Sequence, residues 1–103
     1  MSRFKPKDFD EVLNTVENSV EKMVECDYVG SIGGNLNTRG MSFKDRDNPH
    51  MTGTIIVGED KDAIAVDISL LDGEVRSFRL EDSADRDGIS NIIGWFEENY
   101  GNG

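Results

Sequence analysis

Residues 63–80 read AIAVDISLLDGEVRSFRL. Two runs with strand-like alternation, Ala63 to Leu70 and Glu74 to Leu80, flank Leu71, Asp72 and Gly73. A three-residue loop with Gly73 left-handed joins such runs as an antiparallel hairpin. That loop pairs Leu70 with Glu74 and sets Ile68 opposite Arg76, Val66 opposite Phe78 and Ile64 opposite Leu80. The apolar set then shares one face, while Asp67, Ser69, Ser77 and Arg79 share the other with Ala65 and Val75. A slip of one residue places Phe78 opposite Asp67 and mixes the two faces, so the pattern itself selects the register.

Just before this hairpin, Thr52 to Val57 forms a third strand-like run, and short turn-forming segments make the three an antiparallel meander. Helical periodicity brackets the meander. From Pro6 to about Cys26, Phe9, Val12, Leu13, Val16, Val20, Met23 and Val24 recur at three-and-four spacing, which predicts a first helix ended near Gly30. Pro6 suits its first turn, where Asp8, Asp10 and Glu11 meet the favourable end of the helix dipole. A second helix runs from about Ala84 to Tyr100 on Ile89, Ile92, Ile93, Phe96 and Tyr100, with Asp85 or Ser83 as its cap. Gly88 and Gly94 each weaken it by about 1 kcal/mol relative to alanine, so its stability comes from packing.

Residues 27–50 resist this treatment, because Gly30, Gly33, Gly34, Asn35, Asn37 and Gly40 interrupt every apolar run. Short strands at Tyr28 to Ile32 and Met41 to Phe43 fit there, and so does a loop. The expectation is therefore one α+β domain over residues 1–103: an antiparallel meander of three or more strands with an N-terminal and a C-terminal helix on one face. A chain of 103 residues has little room for a second core.

Twenty-one acidic residues against eleven basic ones leave a formal charge of −10. Such a chain is repelled by nucleic acid and anionic membrane, which excludes direct binding to either through a basic patch. The charge is also uneven. Residues 52–103 hold twelve acids and four bases, whereas residues 27–51 hold three of each. In a meander the first turn and the exit of the third strand lie at the same end. Glu59, Asp60 and Asp62 are thus expected beside Glu81, Asp82, Asp85 and Asp87, opposed by Lys61 and Arg86.

Those seven carboxylates are the candidate partner-binding residues. The plain alternative is that solvated turns are acidic and that charge serves solubility. One duplex phosphate per about 1.7 Å means that seven carboxylates imitate only about 12 Å of DNA, enough to plug a site. Asp85, Asp87 and Gly88 match part of a calcium loop. Ser83 and Gly94 would then fill the first and twelfth ligand positions, where the motif needs Asp and Glu, so no metal site is expected.

Catalytic chemistry is poorly represented. His50 is the only histidine and has no neighbour that marks it as a base. The glycines at 30, 33 and 34 fit neither a dinucleotide fingerprint nor a phosphate loop and read as turn glycines. Cys26, the only cysteine, forms no internal disulfide and suits a reducing compartment. The start, MSRFKPKDFDEV, lacks the apolar run of a secretory signal, and no window reaches transmembrane length, which predicts a cytoplasmic protein.

No cofactor and no catalytic residue is expected. The leading functional expectation is a non-enzymatic, inhibitor or immunity-like binding protein that captures a basic nucleic-acid-binding protein, such as a nuclease, by partial phosphate mimicry. The alternative is an acidic chaperone or assembly adaptor that holds a client on apolar surface. Its pointer is Trp95, beside the main stripe of the second helix, and the same surface would allow a homodimer. In the loop from Gly33 to His50, Arg39, Lys44 and Arg46 alternate with Asp45 and Asp47, with Met41 and Phe43 as anchors. It reads either as a solvated loop closed by its own ion pairs or as an interaction loop. In size, charge and layout the chain is similar to small secretion chaperones, immunity proteins and phage-encoded inhibitors of host defence, with no motif tying it to one of them.

Overall fold

The computed structural model describes residues 3–32, 35–48 and 50–100. The chain runs α1 (Pro6–Val20), β1 (Val24–Ile32), β2 (Asn35–Asp45), β3 (Thr52–Asp60), β4 (Ala63–Leu70), β5 (Val75–Leu80) and α2 (Arg86–Tyr100). All five strands form one sheet in chain order, each antiparallel to the next. Both helices cover the same face, α1 over β2 and β3 and α2 over β5, and they touch one another. This is the expected α+β meander with its two helices.

The hairpin that decides the fold has the register derived from its sequence. Ile64 faces Leu80, Val66 faces Phe78 and Ile68 faces Arg76. Gly73 is left-handed at φ 97°, its N–H donates to the Leu70 carbonyl at 3.0 Å, and the Leu70 N–H donates to the Glu74 carbonyl at 2.8 Å. Ile64, Val66, Ile68 and Leu80 are fully buried under the helices. Ser77 on the opposite face donates its hydroxyl to Asp67 Oδ1 at 2.7 Å.

Two expectations need correction. The first helix does not reach Cys26: it stops at Val20, and Val24 opens a strand by pairing with Asp45. Val20 and Val24 stand four residues apart, and both are buried, so helical spacing continues into a segment whose burial is supplied by a sheet. Gly30 therefore does not end a helix. It sits in β1 at φ 96°, beside an extra residue, Val29, that bulges the strand. Of the two readings of residues 27–50, strands or a loop, the structure has the strands, and the correction is to their length: β1 and β2 form a long hairpin. Its period-two signal is Met41, Phe43 and Asp45, all buried, with Glu25 ion-paired across the strands to Lys44 at 3.4 Å. Gly33, Gly34 and Pro49, read as turn and boundary residues, lie outside the described residues.

The glycines of α2 do not behave alike. A methyl group at Gly88 would strike the Leu80 side chain and come within 3.2 Å of the Asp85 carboxyl, whereas at Gly94 it meets nothing within 4 Å. Leu80 is fully buried, so it can yield only by repacking within the core. We therefore expect Gly94→Ala to raise stability by about 0.5–1 kcal/mol and Gly88→Ala to lower it by about 1 kcal/mol. Thermal melts of the two variants check the contrast; equal gains would mean that the α2–β5 contact is loose.

Candidate functional site

Asp60 pairs with Ala63 across the β3–β4 turn, and Ile64 pairs with Leu80 at the exit of β5. The register thus brings Glu59, Asp60 and Asp62 to the same end of the sheet as Glu81, Asp82 and Asp85 in the connection to α2 and Asp87 in its first turn. Lys61 stands in the turn with a left-handed φ of 58°, a conformation uncommon outside glycine.

The seven carboxylates divide by what they already hold. Asp60 is ion-paired to Arg79 at 2.9 Å, with both side chains about half exposed. The Arg3 N–H donates to Glu59 Oε2 at 3.4 Å, and the Arg3 guanidinium donates to the Asp62 carbonyl at 2.8 Å. Asp82 Oδ1 accepts the Ala84 N–H at 2.9 Å, closing a tight turn. Asp85 accepts the Glu81 N–H on Oδ2 at 2.9 Å and the Gly88 N–H on Oδ1 at 3.0 Å, so it fastens the end of β5 to the start of α2. The carboxylates of Asp62, Glu81 and Asp87 are exposed and bond no group among the described residues.

Sequence reasoning missed three members of this end. Arg3 and Arg79 join Lys61 and Arg86 as counter-charges, and Glu11 of α1 is tied to it by the Ser83 hydroxyl at 3.3 Å. Charge parity within strands gives no hint of these. Glu11 depends on how α1 lies against the β5–α2 connection and Arg3 on how the segment before α1 meets the β3–β4 turn, whereas Arg79 reaches Asp60 across the sheet.

Asp85 is held below the ordinary carboxylate range by the Glu81 N–H first and the Gly88 N–H second, both of which favour its charged form. A group whose folded value is depressed stabilises the fold above its unfolded pKa, and that contribution is lost as the pH falls through the folded value. Asn offers one acceptor oxygen where Asp85 uses two. Asp85→Asn should therefore melt a few degrees below the parent at pH 7, with the gap closing as the medium is acidified below the unperturbed 3.8. A variant that melts as the parent does at pH 7 would release Asp85 from this role. Asp85 is for the same reason the least available of the seven to a partner.

Elsewhere the polar side chains have structural work. Asp10 Oδ1 accepts the Tyr28 hydroxyl at 2.6 Å and Arg39 Nε at 3.1 Å, linking α1 to β1 and β2. The hydrogen bond to Asp10 raises the Tyr28 pKa above its ordinary value. Arg46 Nε donates to the Glu21 carbonyl at 2.5 Å. Buried Asp45 accepts the Asp47 N–H at 2.8 Å and the Asn48 N–H at 3.4 Å. Arg39, Lys44 and Arg46 are thus all engaged within the molecule, and Met41 and Phe43 are core residues rather than surface anchors.

Burial pushes the Cys26 thiol up to about 11, aided by nearby Glu17, which leaves little thiolate for chemistry. Asp87 and Gly88 belong to the first turn of α2 and cannot form a calcium loop. Among the described residues, no three His, Cys, Asp or Glu side chains are grouped to hold a metal, and no helix is long and apolar enough to cross a membrane. Trp95 is only 7% exposed and packs on Phe96 and Tyr100, which removes the pointer to an apolar docking surface on α2.

Comparison with protein-family models, with curated proteins and with solved structures finds no match to this chain.

Proposed function

We propose that this is a non-enzymatic binding protein whose acidic end captures a basic, nucleic-acid-binding protein and occupies its phosphate-binding groove. The observation that supports this most is the register that gathers the β3–β4 turn and the β5–α2 connection at one end of the sheet. Within that end, Asp62, Glu81 and Asp87 are the carboxylates offered to a partner, because the others hold backbone amides or cations of the chain itself. Mutual repulsion among exposed carboxylates costs stability, and a cationic partner relieves it.

The test is affinity capture on the immobilised protein at low and at high salt, followed by competition of the captured protein against a DNA duplex. Basic proteins released by salt, whose DNA complexes the protein dissolves, are the expected result. Replacing Asp62, Glu81 and Asp87 by their amides should slow association and weaken capture about tenfold. Capture of neutral or acidic proteins without a salt effect would overturn the proposal.

The chaperone alternative now rests on other residues. Met51 and Leu71 are exposed and line a cavity of about 420 Å³ with Leu70 and Tyr100, at the end of the sheet away from the carboxylates. A client held there would be released by Leu71→Asp and be indifferent to salt, which separates the two readings.

A further inference from the structure

The helix-free face of the sheet is built of small side chains and contains two depressions. One, of about 490 Å³, lies over Ile56, Gly58 and Ala65 and is rimmed by Asp60, Asp67 and Arg79. The other, of about 390 Å³, lies over Ser42, Thr54 and Ser69 and is rimmed by Glu25, Asp27 and Lys44. The two repeat one electrostatic pattern. Each contains an ion pair, Asp60 with Arg79 or Glu25 with Lys44, and a carboxylate outside it, Asp67 or Asp27, with no ion-pair partner among the described cations; Glu59 adds another carboxylate to the first. Each depression therefore carries more carboxylates than cations beside a floor of small and apolar side chains. The aliphatic stem of an Arg or Lys lies well against such a floor while its head reaches the carboxylate.

Asp27 pairs with Ser42, Ser42 with Thr54 and Thr54 with Ser69, so Asp27 lies three strands away from β4 at the level of Ser69, two residues along the strand from Asp67. Strand spacings of about 4.8 Å and a rise of about 3.4 Å per residue put the two carboxylates roughly 16 Å apart. A helix covers that span in about eleven residues, three turns, which returns side chains to the same side. A second copy of this chain is a poor occupant, since each copy carries a charge of −10.

We infer that the helix-free face is a docking surface for a basic helix of the partner, which sets one Arg or Lys in each depression, at Asp67 and at Asp27. This rests on the basic-partner proposal and extends the contact from the acidic end across the sheet. The face supplies spacing, and the end supplies attraction.

The probe is an alanine-rich helical peptide with two arginines about eleven residues apart, compared with an isomer whose arginines are about nine apart, two and a half turns, and project from opposite sides. Each is titrated into the 15N-labelled protein at low salt. Expected are amide shifts at Ser42, Thr54, Gly58 and Ser77, tighter binding of the first peptide, and about a fivefold loss in an Asp27→Asn, Asp67→Asn double variant. Both carboxylates lie on the helix-free face outside the core, and the free spectrum of the variant shows whether its fold is kept. Should that spectrum change, Asp27→Asn alone is used, with a smaller loss expected. Equal binding of the two peptides, or shifts confined to Glu59–Asp62 and Glu81–Asp87, overturns the docking face and leaves the acidic-end proposal standing. No shift with either peptide likewise overturns the docking face, while the acidic-end proposal stands or falls on the capture experiment.

Discussion

Phe96→Ala should unfold the protein roughly 15 °C or more below the parent, the largest loss expected from a single truncation. Phe96 is fully buried, and its ring centroid lies 5.1 Å from that of Phe43, 5.0 Å from Trp95 and 5.8 Å from Tyr100. Removing such a ring costs about 3–5 kcal/mol, because the lost transfer energy is joined by a cavity that its neighbours fill only in part. Each kcal/mol moves the midpoint of a domain this size by about 4–8 °C. Against a total stability of about 5–15 kcal/mol, the variant is close to the limit of folding. Urea denaturation followed by Trp95 fluorescence measures the loss. A change under about 1 kcal/mol would mean that the cluster is not a rigid part of the core.

Gly53→Ala should cost about 1–3 kcal/mol, although alanine is ordinarily the better strand residue. Gly53 faces Phe43 across the β2–β3 pair, and a methyl group there would sit 2.5 Å from the Phe43 ring and 2.8 Å from the Ser69 carbonyl oxygen. The ring cannot swing aside freely, since it is wedged edge-on against Phe96 and Tyr100. The carbonyl belongs to the sheet ladder. Phe43→Leu relieves the first clash and leaves the second, so the two substitutions should be non-additive, with the double variant less damaged than the sum. Additive losses in denaturant midpoints would show that the ring does not rest on Gly53.

The hairpin at residues 63–80 was legible because alternation, loop length and Gly73 all specify one pairing. The β1–β2 hairpin was not. Its buried positions, Met41, Phe43 and Asp45, do alternate, but Asp45 is a carboxylate that pays for burial by accepting two backbone N–H groups, and no hydropathy pattern registers that. Val20 and Val24 mislead differently, since one spacing serves both a helix stripe and a helix-to-strand junction. For the acidic end, the meander foretold which carboxylates gather. The cap expected at Asp85 is seen in its bond to the Gly88 N–H. Its second bond, to the Glu81 N–H, and the turn closed by Asp82 were not foretold, because both residues fit a free surface position as readily. The ties of Arg3 and Glu11 to that end span 56 and 72 residues of chain and have no local signature.

The strand order β1-β2-β3-β4-β5 has a kinetic side. Every ladder in this sheet joins neighbours in the chain, so each closes a short loop at small entropic cost and can zip without waiting for a distant segment. The helices are the opposite case. They come from the two ends of the chain, and Phe43 finds Phe96 and Tyr100 only when the last helix arrives. Folding on the ribosome would thus assemble the sheet as it emerges, with α1 already at hand for β2 and β3 and the rest of its apolar face open, and lock it in one late event when α2 docks. Perturbations of that docking should slow refolding less than they speed unfolding, the signature of contacts made after the main barrier.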